Sequence, residues 1–326
     1  LEQKIRESYN DAILHEAMRR YGIPPGKIRL LDGFENILYS FRQGRNRRIL
    51  RISHSLHRDV YAIRGEIDWL SYLAANSVPV AYPVPSLSGE MVEVLGEGDE
   101  YFSATSFVYA PGRPPSREDW QNGLLGKVGR LIGWMNALAK NYQPRDPVGR
   151  RPHQIDDIKG FERFLPAGEE GVAEKHRQMV AGLSQLPTDR EVYGLVHQDV
   201  HGGNFFVRNG QITLFDFDDT LYGWFAYDVA MAFFYVLPHD CSSLEHKEFA
   251  RRALSELLEG YSQENSLDSC WVREIPRFLK QREIDLYIAI HRSLDLNDLD
   301  PWCASFMKDR REKILNDVPY VDIDFG

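Results

Sequence analysis

Between His197 and Asp216 the chain sets a histidine, two aspartates and an asparagine in an order suited to moving a phosphoryl group. His197-Gln198-Asp199-Val200-His201-Gly202-Gly203-Asn204 has the spacing H-x-D-x-x-x-x-N and reads as a glycine-softened loop that follows a short apolar strand at 192–196. Phe205-Phe206-Val207-Arg208, then Asn209-Gly210, then Gln211-Ile212-Thr213-Leu214-Phe215 predict a hairpin closed by a two-residue turn, for which Asn-Gly is the preferred pair. With Arg208 opposite Gln211, Asn204 falls opposite Phe215 and diagonal to Asp216, on the order of 5 to 8 Å away between backbones. A magnesium ion takes oxygen ligands, and this amide and carboxylate offer two, leaving the other positions to nucleotide phosphates and water. Asp199 can accept a hydroxyl proton while orienting that oxygen in line with a terminal phosphate. The chemistry predicted is Mg2+-dependent transfer of the γ-phosphate of ATP, or of GTP in its place, to an alcohol group. Asp218 shares a face with Asp216 if the strand continues, and is otherwise a solvated loop carboxylate. His201 reads as a loop filler.

These residues need a scaffold, and its elements are legible in outline. Residues 2–21 carry Ile5, Tyr9, Ala12, Ile13 and Ala17 at helical spacing, stopped by Gly22-Ile23-Pro24-Pro25-Gly26. Strand-like runs at 28–32, 37–42 and 48–53 precede a helix striped by Val60, Ile63, Ile67, Leu70 and Ala74. Further strands at 91–95 and 101–109 end at Ala110-Pro111-Gly112-Arg113-Pro114-Pro115, a break that marks a lobe boundary. Ser116-Arg117-Glu118-Asp119 then resembles a helix cap, and Leu124, Val128, Leu131, Met135 and Leu138 continue with helical period. The expectation is an α+β chain of two lobes, 1–109 with an antiparallel sheet that binds nucleotide and 110–326 mainly helical, carrying catalysis and acceptor binding.

Composition narrows the partners. A chain of 326 residues with 43% hydrophobic and 12% aromatic content can bury a large core. Its 39 basic against 48 acidic residues give a net charge of -9, which argues against nucleic acid as a partner and suits a neutral or cationic acceptor. Cys241, Cys270 and Cys303 form no CxxC pair, so neither a disulfide framework nor a zinc site is expected and a reducing, cytoplasmic setting fits. The start, Leu1-Glu2-Gln3-Lys4-Ile5-Arg6, is charged where a signal peptide is apolar, and no run reaches the ~18 apolar residues of a membrane span.

The segment Gly194 to Ala232, with Asp216-Phe217-Asp218-Asp219 and Tyr227-Asp228-Val229-Ala230, resembles the aminoglycoside phosphotransferase and choline kinase superfamily of the protein-kinase-like fold. The resemblance extends over both lobes, through Gly33-Phe34-Glu35-Asn36-Ile37-Leu38-Tyr39 and Val78-Pro79-Val80-Ala81-Tyr82-Pro83-Val84-Pro85. It implies that Asp199 is the catalytic base, that Asn204 and Asp216 hold magnesium, that His197 supports the loop and that Asp228 braces it from a following helix. It also implies that Ser106, Phe107 and Val108, with Tyr109, form the hinge recognising adenine. Where the family often has lysine on the third strand this chain has Arg51, with Glu66 as the expected ion partner; arginine can bind phosphate bidentately, or the two can be an exposed surface pair. The Gly33 turn lacks a full G-x-G-x-x-G, leaving Asn36 and backbone amides as phosphate contacts.

The acceptor is less legible. A small-molecule hydroxyl is the first reading, and Asp295, Asp298, Asp300, Asp317, Asp322 and Asp324 either line a cleft for a cationic amine-bearing alcohol or form a solvated acidic end. Trp302, Phe306 and Tyr320 either flank a substrate or belong to the core. Glu35-Asn36 and Asp216-Phe217-Asp218-Asp219 also resemble the bacterial stress response kinase, which makes protein serine or threonine the alternative acceptor. Two readings compete from other classes: a nucleotide-binding module without turnover, against which Asp199 stands, and a haloacid-dehalogenase phosphatase with Asp216-Phe217-Asp218-Asp219-Thr220 as its D-x-D-x-T nucleophile motif, a fold that needs further parallel strands.

Overall fold

The computed structural model describes residues 3–31, 33, 35–96 and 98–326; Leu1 and Glu2 of the charged start and Phe34 of the Gly33 turn lie outside the described residues. The leading helix is two helices, Gln3–Ser8 and Asp11–Arg20. Asn10 separates them because its side chain accepts from the amides of Ala12 and Ile13, an N-cap that restarts the helix.

Six strands follow: β1 (Ile28–Leu30), β2 (Ile37–Gln43), β3 (Asn46–His54), β4 (Pro83–Val84), β5 (Glu93–Leu95) and β6 (Phe102–Val108). They form one antiparallel sheet in the order β1-β2-β3-β6-β4, with β5 also on β6. Alternation sorts β3 into two faces. Leu50 and Ile52 join Tyr39, Phe41, Ala17, Met18 and Phe102 in the apolar core. Arg51 and Ser53 point the other way, which leaves a guanidinium on a buried strand available for polar work. The helix Val60–Ala75, capped by Asp59 on the Ala62 amide at 2.7 Å, supplies Glu66.

Downstream lie β7 (Tyr193–Val196), β8 (Phe205–Arg208), β9 (Gln211–Leu214) and β10 (Leu221–Trp224). The β8–β9 hairpin has the expected register, Arg208 with Gln211 and Phe205 with Leu214, and both turn residues have positive φ, 52° at Asn209 and 72° at Gly210. β7 pairs with β10. Every pairing between these named strands is antiparallel, so the parallel-sheet phosphatase reading fails on topology.

The chain divides into two compact units, and neither is a single stretch. The first comprises Leu1–Pro114, Tyr142–Arg151 and Phe205–Asp218; the second comprises Pro115–Asn141, Pro152–Asn204 and Asp219–Gly326. The boundary expected at 109/110 therefore becomes Pro114, with two later segments returning to the first unit. Backbone hydrogen bonds give the reason: Ala81 and Leu214 join through Ala81 N–H to Leu214 O at 2.8 Å, and Arg113 with Val207 by reciprocal bonds of 3.2 and 2.8 Å. Arg150 N–H likewise reaches Tyr61 O at 2.8 Å.

The second unit is mainly helical. Its helix Phe225–Val236 is apolar and buried along most of its length, and Tyr227 meets Phe278 of the helix Ile275–Ser293 edge to face at 5.7 Å. The helices Leu124–Ala139 and Leu244–Tyr261 cross at glycines: a Cβ on Gly260 would lie 1.9 Å from the carbonyl oxygen of Gly126, and one on Gly129 would lie 2.0 Å from that of Leu257. Gly129→Val must push the two backbones apart, and it is expected to cost about 3 kcal/mol of stability, read as an earlier urea unfolding midpoint.

Candidate active site

The first unit holds a buried polar cluster around Arg51. Its Nη1 and Nη2 donate to the two carboxylate oxygens of Glu66 at 2.8 and 2.7 Å, and the two residues are 4% and 1% exposed. The pair is thus a desolvated fork, not an exposed surface bridge. Burial works against the guanidinium's charge, but the charges of Glu66 and Asp218 more than offset it and hold Arg51 protonated, its pKa raised above the ordinary value.

Asp218 lies beside the same guanidinium, Oδ1 at 3.5 Å from Nη1, and is buried rather than solvated. Its Oδ2 is 2.7 Å from His57 Nε2 and accepts from Asn36 Nδ2 at 3.4 Å, with Arg58 Nε at 3.9 Å. The backbone oxygen of Asp218 accepts from Arg151. Burial raises the carboxyl's pKa, yet the His57 hydrogen bond and the charges of Arg51 and Arg58 hold it well below the usual carboxylate range. For His57, burial opposes the charge, and the hydrogen bond to Asp218, then the charges of Asp218 and Glu35, raise its pKa above normal. Glu35, His57 and Asp218 bring potential metal-ligating atoms within 4.8 Å of one another. Two guanidiniums share that carboxylate, which disfavours a further cation there.

The Gly33 turn is tight: a Cβ there would lie 2.4 Å from the Asn36 carbonyl oxygen, so only glycine fits. The Asn36 side chain is held at both ends, accepting from Ser53 Oγ at 2.6 Å and donating to Asp218 at 3.4 Å. Ser106, Phe107 and Val108 lie inside the sheet, paired with Leu50, Ile49 and Arg48 on one edge, while Val84, Pro83 and the carbonyl of Tyr82 flank them on the other. They are not a free hinge edge; the chain leaves the strand only after Val108. Asp216 has φ 66°, a left-handed conformation unusual for aspartate and a mark of a constrained position.

The second unit holds the loop after β7. Gln198 also has positive φ, 74°, and the reason is Asp228. Its buried carboxylate accepts the amides of His197 at 3.0 Å and Gln198 at 2.8 Å, fixing the loop from the helix Phe225–Val236. His197 is buried beneath the loop, its Nδ1 accepting from the Asp199 amide at 3.3 Å.

Asp199 is fixed on both oxygens. Oδ1 accepts from Arg282 Nη2 at 2.7 Å, and Oδ2 accepts from Asn204 Nδ2 at 2.9 Å and from His201 Nε2 at 3.0 Å. The tautomer of His201 follows, because its Nδ1 accepts the Gly203 amide at 2.9 Å, leaving Nε2 to carry the proton. His201 is therefore a positioning group and not a loop filler. Burial raises the pKa of Asp199, but the His201 hydrogen bond and the Arg282 charge hold it well below the carboxylate range. Arg282 also donates to Tyr235 Oη, and its Cζ lies 5.2 Å from that ring's centroid. Neither Arg282 nor Tyr235 belongs to any local motif; only the packing of Ile275–Ser293 against Phe225–Val236 brings them to Asp199.

Five of the six acidic C-terminal residues have partners close by. Asp300 caps the helix Pro301–Met307, Asp295 closes its own turn on Asn297, and Asp317 and Asp322 pair with Lys175 and Lys247. Asp324 accepts the Gly326 amide.

Burial pushes the Asp228 carboxyl up to about 6 from 3.8, partly offset by the amides of Gln198 and His197. The folded chain thus keeps a proton that the unfolded chain has lost between about pH 4 and pH 6, so this group's contribution to stability is present below pH 4 and is lost as pH rises through 6. The loss is on the order of 3 kcal/mol for a shift of about two units. Urea unfolding of the wild type and Asp228→Asn across pH 4 to 7 checks this: the difference between their pH slopes should fall in that window, and parallel curves would contradict the assignment.

A two-unit α+β chain with a buried Arg-Glu pair under an antiparallel sheet, and an H-x-D-x-x-x-x-N loop feeding a hairpin, defines a phosphotransferase of the kinase-like fold. Residues 27–265 match the model of the phosphotransferase enzyme family, and the chain belongs to that family. It is a small-molecule phosphotransferase. Amicoumacin kinase of Bacillus subtilis (strain 168) is 32% identical over 98% of this chain and 96% of its own. Among solved structures, an amicoumacin kinase in complex with AMP-PNP, Ca2+ and Ami superposes with TM-score 0.92 at 32% identity, covering 100% of this chain and 99% of that one. A microcompartment-associated aminopropanol kinase superposes with TM-score 0.73 at 21% identity, over 94% and 95% of the two chains, a likeness of fold.

Proposed function

We propose that this chain transfers the γ-phosphate of ATP, with a divalent metal, to a hydroxyl of an amicoumacin-like antibiotic, and that Asp199 orients that hydroxyl. The observation that carries the catalytic assignment is the fixing of both Asp199 oxygens by Arg282, Asn204 and His201, which holds the carboxylate in one rotamer. A carboxylate kept this acidic is a weak base for a free alcohol. It aligns the nucleophile and takes its proton as the new oxygen–phosphorus bond forms, the division of labour expected for a loose phosphoryl-transfer transition state.

Asn204 and Asp216 suit the metal. The Asn204 amide nitrogen is turned to Asp199, bonding its side chain and its backbone oxygen at 2.9 and 3.0 Å, so the amide oxygen remains as an acceptor for a cation. A bound divalent metal supplies neutralisation of the phosphate charge. Arg51, locked by Glu66, presents a fixed guanidinium to the nucleotide phosphates, and the Gly33 turn lends backbone amides to the same group. The antibiotic is favoured as acceptor by the near full-length likeness to amicoumacin kinase. The test is direct: purified protein, MgATP and amicoumacin, with phosphorylated antibiotic read by mass spectrometry beside aminopropanol and casein. ATP binding without transfer to the antibiotic would remove the acceptor assignment.

A further inference from the structure

One face of the first unit's sheet carries a row of cations that the proposed chemistry does not use. Arg42 of β2 pairs directly with Arg47 of β3, and Ile28 of β1 pairs with Phe41, a register that carries Lys27 to Arg42. Lys27, Arg42 and Arg47 thus follow one another across three strands at about 4.8 Å spacing, with Arg29 beside them opposite Ser40. Like charges set directly opposite on a sheet repel and lower its stability. Elsewhere in this chain a carboxylate answers the charge, as it does for Arg19, Lys140, Lys175 and Lys247. Among the described residues none of Lys27, Arg29, Arg42 and Arg47 has an ion-pair partner, although the chain as a whole carries a net charge of -9.

These four cations line an open cleft of about 350 Å³. Its walls are shaped in advance. Lys27 leaves a turn closed by its own amide on the Pro24 oxygen at 3.1 Å, with Gly26 at φ 72°, and Arg47 Cζ lies 3.7 Å from the centroid of the Tyr109 ring. Ser40, 6% exposed, lines the same cleft, and its hydroxyl has no hydrogen-bond partner among the described residues. Unmatched guanidiniums, an ammonium and a spare hydroxyl donor make a site for an anion rich in oxygen. Arg47 precedes Arg51 on β3 by roughly 13 Å along the strand, and neither Glu66 nor Asp218 pairs with any of the four cations.

We infer that this cleft binds a small oligophosphate, as a second anion site set apart from the Arg51 cluster. Linked phosphates suit it because their charges repeat along the ligand as the cations repeat across the strands, and because a guanidinium fork takes phosphate oxygens in pairs. A long polyanion such as nucleic acid suits it poorly, since the cleft is small and the chain as a whole is acidic. The site is independent of the acceptor and of the role proposed for Asp199.

The probe is sodium tripolyphosphate, titrated calorimetrically into the full chain in magnesium-free buffer of low ionic strength, with orthophosphate as the single-phosphate comparison. The wild type is expected to bind tripolyphosphate about tenfold or more tightly than orthophosphate. Arg42→Gln with Arg47→Gln should weaken that binding by about tenfold or more, and Arg42→Lys should keep it within about threefold. Arg251→Gln with Arg252→Gln removes the same charge from exposed positions on the helix Leu244–Tyr261 and should change it by less than about twofold. Melting temperature reports folding: Arg42→Gln alone should melt no lower than wild type at low salt, since it removes a repulsion and no ion pair. A wild type that binds both phosphates alike, or equal losses from the two double variants, overturns the site. So does binding that survives Arg42→Gln with Arg47→Gln but disappears in Arg51→Met with Glu66→Leu, which places the probe at the buried pair. An Arg42→Gln protein that melts well below wild type shows the row to be a structural brace, and overturns the site as well.

Discussion

Asp199→Asn is expected to lower kcat by about 10³ or more while the affinity for MgATP changes by less than about threefold. The expectation follows from what the carboxylate touches. Arg282, His201 and Asn204, which hold it, all belong to the second unit, whereas Arg51 and Glu66 belong to the first. The change removes the proposed acceptor of the hydroxyl proton without disturbing the Arg51–Glu66 fork. It also leaves the partly buried Arg282 guanidinium without its counter-charge, so stability should fall, and activity must be compared at a temperature where both proteins are folded. Asp199→Ala makes that structural penalty larger without changing the chemical conclusion. Isothermal titration with the nucleotide and initial rates with a saturating acceptor separate the two effects. Turnover within tenfold of wild type in folded Asp199→Asn would falsify the assignment.

Glu66→Ala should be the most destabilising single change in the first unit. It leaves the Arg51 guanidinium buried with its bidentate partner gone, a situation that costs about 3–5 kcal/mol and lowers the melting temperature on the order of 10 °C. The double change Arg51→Met, Glu66→Leu replaces the pair by apolar groups and should recover most of the stability, because two desolvated charges are removed together. Activity should not recover. With no guanidinium to meet the phosphates, kcat/KM for ATP is expected to stay about 10² or more below wild type. Arg51→Lys should fall between, keeping the charge but not the two-pronged geometry. Calorimetric melting with nucleotide kinetics on the same four proteins decides the matter: activity returning along with stability in the double variant would make the pair a structural brace only.

Much of the scaffold was legible because its signals are local. Alternation along β3 sets Arg51 opposite in face to Leu50 and Ile52 whatever the rest of the chain does. Asn209-Gly210 closes its hairpin because both residues accept positive φ, and that turn sets the register from Phe205 to Leu214. Where local signals are weak, tertiary contacts decide the element. One helix became two because Asn10 made a cap, and two-residue β4 exists only because β6 lies beside it. The lobe boundary moved since the hairpin and Tyr142–Arg151 return to the first unit through hydrogen bonds that no periodicity announces.

The site divides in the same way. The order His197, Asp199, Asn204, Asp216 is a matter of covalent connection, so the sequence by itself indicated the reaction type and the groups proposed to perform it. Partners distant in the chain came only with tertiary structure: Arg282 stands 83 residues from Asp199, and His57 stands 161 from Asp218. Hydrogen bonds and ion pairs act over about 3 Å in any direction through space, whereas a motif reports only neighbours along the chain. For the same reason His201 passed as a filler until its ring was seen to bridge Gly203 and Asp199, and Trp302 could not be told from Phe306 until burial separated the exposed indole from the covered ring.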